Sequence, residues 1–177
     1  HILVTFGFQD NAAYLLRIPV DVFKKLANID EVFKNFDWGE IKENQWFLEK
    51  LHQEIVQNNS YETFFKVKSG YGVVDVGSSV GPFSNAIINK NPKHIYCLEP
   101  QKSLFKTLQS NMNFDNVTCI NKGISQENGT VVFDGLYNSD GYYTHSNPAK
   151  ADGIKFKTFI SDNNIKQIDF LKLDCEG

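Results

Sequence analysis

Apolar and polar positions change their period along this chain near residue 70. Ahead of it, "ILVTFGF" and "AYLLRIP" flank the polar "QDNA" and read as two short strands around a turn. "VDVFKKLANIDEVFKNF" then sets Val22, Phe23, Leu26, Ile29, Val32, Phe33 and Phe36 at helical spacing. "NQWFLEKLHQEIV" places Trp46, Phe47, Leu51, Ile55 and Val56 in an apolar stripe beside charged residues, a second helix. Residues 1–60 therefore read as an accessory segment of strands and helices in which aromatics face a core. Past residue 70 strand and helix patterns alternate. "GVVDVG", "HIYCLEP", "NVTCINKGI" and "IDFLKLD" read as buried strands, and "PFSNAIINK" and "SLFKTLQSNM" as helices. "TVVFDG", "GYYTH" and "IKFKTFI" read as short additional strands. Apolar strands alternating with helices predict an α/β fold, a Rossmann-like, open, mostly parallel sheet spanning 61–177.

Composition narrows the class. With 41% hydrophobic and 22% charged residues, the 177-residue chain has the make-up of an ordinary globular domain. A net charge of −3 supplies no basic field for a nucleic-acid backbone, so a nucleic-acid partner is not expected. No apolar run reaches the roughly 20 residues of a membrane span. Cys97, Cys119 and Cys175 lie in or at the end of apolar runs and read as reduced, buried thiols. Residues 1–20 show no charged start followed by an apolar block, and a cytoplasmic location is expected. The chain opens on His1 and stops at "DCEG", directly after a strand pattern. A fragment is the reading, with the "DFLKL" strand then left as an apolar edge.

The stretch "VVDVGSSVGPF" carries the chemistry. In an open α/β sheet, ligands bind outside the carboxyl ends of the strands. Gly77 lets the chain turn out of the strand at positive φ, and Gly81 lets the next helix approach without a side chain between. A dinucleotide loop reads G-x-G-x-x-G and seats a pyrophosphate. Here the pattern is Asp75-x-Gly77-x-x-x-Gly81, with an acid at the strand tip. A carboxylate there repels a pyrophosphate and attracts an ammonium group, which points to S-adenosylmethionine. Glu99 ends the second strand, where an acid accepts hydrogen bonds from ribose hydroxyls in NAD binders as well. Each residue also has a plainer reading: an Asp at a strand end caps a helix, and glycines serve turns.

"VVDVGSSVGPFS", "IYCLEPQKSLFKTLQSNM", "NVTCINKGIS" and "IDFLKLDCEG" together resemble the FkbM-type methyltransferases, over about residues 61–177. The most specific parts are Glu99-Pro100 and Lys172-x-Asp174-x-Glu176-Gly177. The family's loop more often reads D-x-G-A-x-x-G, so Ser78 departs from it. The resemblance implies S-adenosylmethionine-dependent methyl transfer, typically to an oxygen of a sugar or a related small molecule. It carries Asp75, Gly77, Ser78 and Gly81 over as the cofactor loop and Glu99 as the ribose acid. It also carries over Asn121 and Gly123 as the adenine-side turn, where many relatives have an Asp.

In "KLDCEG", alternate residues of an extended chain share a face, so Lys172, Asp174 and Glu176 point together. In-line methyl transfer asks mainly for orientation, and a hydroxyl acceptor can also need a base. Asp174 is expected to orient the acceptor or the cofactor amine, Glu176 to act as base or substrate contact, and Lys172 to be an internal ion-pair partner. A purely structural ion cluster is the competing account. No His/Asp cluster accompanies these acids, so no metal is expected. Tyr142, Tyr143 and His145 in "GYYTHS" offer a substrate wall, although hairpin aromatics more often simply pack. Two alternatives stand beside the methyltransferase: a cofactor-binding domain without catalysis, and an NAD-dependent oxidoreductase, for which the third close glycine is missing. DNA or RNA methylation is disfavoured by the charge and by the lack of an Asn-Pro-Pro-aromatic motif.

Overall fold

A computed structural model describes residues 2–8, 12–18, 33, 35–43, 48, 54–55, 59–133, 136–137, 143–144 and 149–174. Most of the two helices expected before residue 57, together with Tyr142, His145, Cys175 and Glu176, lie outside the described residues. The chain divides into two compact units, 1–34 and 35–177. In the first, Ile2–Phe8 (β1) and Ala12–Ile18 (β2) form the expected antiparallel hairpin.

The second unit is α/β. Its strands are Gly72–Val76 (β3), His94–Leu98 (β4), Val117–Ile120 (β5), Gly123–Ile124 (β6), Gly129–Phe133 (β7), Leu136–Tyr137 (β8), Tyr143–Thr144 (β9), Ala149–Ile154 (β10) and Phe170–Leu173 (β11). Among the described residues its helices include Pro82–Ile87 (α1), Lys102–Asn111 (α2) and Phe156–Asp162 (α3), and a 3-10 turn, Ile88–Lys90, extends α1. The main sheet is all parallel in the order β11-β3-β4-β5. Read from β5 this is the 3-2-1-4 order of a Rossmann-like fold, with the change of direction between β3 and β11. A smaller sheet, β6-β10-β7, lies beside it, and β8 pairs with β9.

The core explains the elements. Val74, Val76 and Leu98 pack one face of the main sheet against Ile154 and Phe159. The opposite face receives α1, whose Phe83 stacks on Phe170 at 5.7 Å between ring centroids. At the amino end, Gly72 and Asp169 clamp β3 to β11: Gly72 N–H donates to the Asp169 carboxylate and Asp169 N–H to the Gly72 carbonyl, both at 2.8 Å.

Three elements differ from the expectations. "IKFKTFI" is the end of β10 followed by α3, not a strand. Ile154 and Phe156 look alternating, but Phe156, Phe159 and Ile160 fall at i, i+3 and i+4, and that set reaches the core. "NVTCINKGI" is two strands: a turn, with Lys122 N–H donating to the Ile120 carbonyl, sends Gly123–Ile124 to pair with β10. The last strand is buried on one side only. Phe170 and Lys172 point inward, while Leu171 and Leu173 are exposed, as befits the outermost strand of this sheet among the described residues. No helix among the described residues is long and apolar enough to cross a membrane.

Candidate active site at the carboxyl edge of the sheet

Open parallel sheets form their ligand crevice at the switch point, here between the carboxyl ends of β3 and β11, and the sequence places its polar residues there. Val76 leads into a loop with Gly77 at φ 74°, Ser79 at φ 51° and Gly81 at φ 94°. The N–H groups of Gly77 and Ser78 both donate to the Leu98 carbonyl at 3.0 Å, which folds the loop over the end of β4. A Cβ on Gly81 would lie 2.9 Å from Leu108 Cδ1 and 3.0 Å from Met112 Cγ. That glycine therefore serves both the backbone turn and the close approach of α2. Ser78 is buried, its hydroxyl donating to the Asp75 carbonyl at 2.7 Å, so it braces the turn.

Asp75 is fully buried. One carboxylate oxygen takes the Lys172 ammonium at 2.9 Å and the other takes the Ser84 hydroxyl at 2.8 Å. Its charge thus ties β3 to β11 and to α1. Lys172 also donates to the Gly77 carbonyl at 3.1 Å and lies 3.7 Å from Asp174 Oδ2. Burial by itself would lower the Lys172 pKa, but the Asp75 and Asp174 carboxylates outweigh it and raise the value. The Lys172–Asp174 contact agrees with the shared face inferred from alternation.

Glu99 lies 6% exposed at the end of β4. Its two oxygens accept the N–H groups of Ser79 and Gln101, each at 2.8 Å. Burial pushes its carboxyl up to about 7 against those two hydrogen bonds, with Asp75 adding repulsion and Lys172 partly offsetting it. Asn121 follows β5, and its amide donates to the carbonyls of Glu99 and Pro100 at 2.8 and 3.1 Å. It fixes the turn that carries Glu99. Gly123 sits further on, buried in β6 and paired with Gly153.

The fold thus brings together the glycine loop, Glu99, Asn121 and, across β3, Asp174. Three further residues join the site. Ser84 sits three positions after Gly81, so the inward face of α1 could have suggested it. Ser79 adopts the left-handed region, and its hydroxyl is a buried oxygen with no hydrogen-bond partner among the described residues. Tyr61 donates to Asp174 Oδ2 across 113 positions, a pairing with no local signal. No group of three or more potential metal ligands occurs among the described residues.

No protein-family model and no curated protein matches this chain. Among solved structures, it is similar to a methyltransferase FkbM from Methylobacillus flagellatus, at 15% identity and a TM-score of 0.42, covering 89% of this chain and 43% of that one. A SAM-dependent methyltransferase from Aquifex aeolicus matches at 17% identity and a TM-score of 0.30, over 67% of this chain and 53% of that one. A putative RNA methyltransferase from Pyrococcus horikoshii matches at 19% identity and a TM-score of 0.29, over 41% and 34%. The chain spans 34–53% of the length of these three proteins. Scores this low assign neither a function nor a residue.

Proposed function

We propose that this chain binds S-adenosylmethionine and belongs to a methyltransferase acting on an oxygen of a sugar or a related small molecule. The observation that carries the cofactor reading is the pairing of the Gly77–Gly81 loop with Glu99 at the switch point of a parallel sheet. The loop has no third close glycine to seat a pyrophosphate, and its neighbour is an acid suited to hydroxyl donors. The residues fit such a ligand. Among the described residues each Glu99 oxygen takes one backbone N–H, which leaves a lone pair for a ribose hydroxyl. The orphaned Ser79 hydroxyl lies in the same loop.

When bound, S-adenosylmethionine supplies an electrophilic methyl group on a sulfonium. In this reading Gly77, Ser78 and Gly81 shape the cofactor loop, Glu99 holds the ribose, and Asn121 and Gly123 belong to the adenine side. Asp75 acts at one remove: sealed by Lys172 and Ser84, it holds the loop's strand in place. Asp174 and Glu176 orient the cofactor amine and the acceptor, with Glu176 as the base for a hydroxyl.

Calorimetric titration with S-adenosylmethionine tests this, using NAD as control and Glu99→Ala as variant. Binding of S-adenosylmethionine that weakens at least about tenfold in Glu99→Ala is expected, as for loss of hydrogen bonds to a charged group. Binding of NAD in its place, or of neither ligand, overturns the reading.

A further inference from the structure

We propose that Tyr61 is a positioning residue of this crevice. Its phenol holds the Asp174 carboxylate at the end of β11, where the remaining oxygen takes the α-ammonium of the ligand's amino-acid end. The proposal rests on the S-adenosylmethionine reading and adds to it a residue from outside the strand–helix alternation.

Among the described residues, two carboxylates stand near the ends of β3 and β11, and only one of them reaches solvent. Asp75 is 0% exposed, with both oxygens engaged by Lys172 and Ser84. The Asp174 side chain is 53% exposed. A cationic group entering beside the glycine loop therefore meets Asp174, not the acid that the sequence pattern brings forward. The Asp174 backbone is anchored through its N–H to the Val76 carbonyl at 3.1 Å. Its side chain is held on one oxygen, Oδ2, which accepts from the Tyr61 phenol and lies 3.7 Å from Lys172. Oδ1 makes no hydrogen bond among the described residues.

Tyr61 is itself set in place from two sides. Its ring meets Phe83 of α1 edge-on, 5.4 Å between centroids, and the Lys172 ammonium lies 5.1 Å from its ring centre. Burial, and then the hydrogen bond to Asp174, push its phenol pKa upward, so it remains a proton donor across ordinary pH. The 3-10 turn that carries it, Ser60–Glu62, is pinned in turn: Glu62 accepts the Val67 N–H and pairs with Lys90, which follows α1. A half-exposed carboxylate with a free rotamer would lose orientation, and the phenol removes that freedom.

The test compares two probes on the full chain. S-adenosylhomocysteine carries the amino-acid end; 5′-methylthioadenosine keeps the nucleoside and sulfur but lacks it. Tyr61→Phe is expected to weaken S-adenosylhomocysteine about tenfold and leave 5′-methylthioadenosine within about twofold. Equal weakening of both, the mark of a merely structural role, overturns the proposal, as does no weakening of either. Asp174→Asn covers the case in which Tyr61→Phe does not fold. It keeps an oxygen for the phenol, loses the charge, and is expected to show the same selective loss; unchanged S-adenosylhomocysteine affinity overturns the proposal. A wild-type chain that binds neither probe overturns the S-adenosylmethionine reading and this proposal with it. Wild-type binding with indifferent variants overturns this proposal alone.

Discussion

Lys172→Met removes the cation that joins β11, β3 and the glycine loop while nearly preserving the length of the side chain. The ammonium and the Asp75 carboxylate meet at 2.9 Å with side chains only 4% and 0% exposed. Without it, Asp75 keeps the Ser84 hydroxyl but faces the interior as an uncompensated charge. Breaking a buried pair from one side costs about 3–5 kcal/mol. A domain is stable by only about 5–15 kcal/mol, so the loss is about a fifth or more of the total. At about 2–4 °C per kcal/mol for a domain near this size, the melting point should fall by about 6–20 °C. Trp38 and Trp46, the two tryptophans of the chain, both belong to the 35–177 unit, so urea unfolding followed by their fluorescence reports on that unit. The second arm is Asp75→Asn in the Lys172→Met background. Removing the stranded charge should recover about half of the loss, because an amide still accepts from Ser84. The sign with pH is also set. The Lys172 pKa is raised in the folded state, so its contribution is fully present below the unfolded lysine value of about 10.4 and fades only as pH rises through the folded one. The gap between wild type and Lys172→Met should therefore not narrow between about pH 6 and 9. A single variant within about 1 kcal/mol of wild type, or a double variant no better than the single, would refute the account of a sealed ion pair.

Other outcomes follow from the same geometry. Burial raises the Glu99 carboxyl to about 7, above the unfolded value of about 4.3, so the folded protein keeps that proton through mildly acidic pH. S-adenosylmethionine affinity should rise with pH, by up to about tenfold per unit, and level off above about pH 7; Glu99→Gln should flatten the profile. The same shift makes Glu99's contribution to stability fall as pH rises between those two values, which pH-dependent denaturation of wild type against Glu99→Gln would detect. A pH-independent binding curve for wild type would contradict this assignment. Gly81→Ala combines a left-handed backbone at φ 94° with a Cβ 2.9 Å from Leu108, so it should cost about 2–5 kcal/mol in urea unfolding. A change of only a few tenths would show that α2 yields freely there.

Much of the fold was legible because it is written in local periods. β3, α1, β4, α2 and β5 each carry an apolar pattern bounded by turn residues, and alternation of the two periods implies parallel pairing. Glycine spacing and the acids at strand tips were legible for the same reason: each is a requirement of one turn. Sequence pattern and structure part where two elements adjoin. At Ile154–Phe156 the alternation of a strand end runs into the first turn of a helix, and only Phe159, seated on Val74, Val76 and Leu98, shows which period prevails.

Which acid reaches solvent was a different kind of question. In the sequence Asp75 and Asp174 are both acids at strand ends, and nothing local separates them. The tertiary structure does, because Lys172 comes alongside Asp75 only when β11 pairs with β3, 97 positions away. The carboxylate that gains a buried cation loses its access to solvent; the one beyond the strand end keeps it. Tyr61 likewise reaches Asp174 only by crossing to the far end of the chain. Local chemistry set the loop and the acids at the strand tips, and long-range packing chose which of those charges is spent inside the protein and which is left facing solvent.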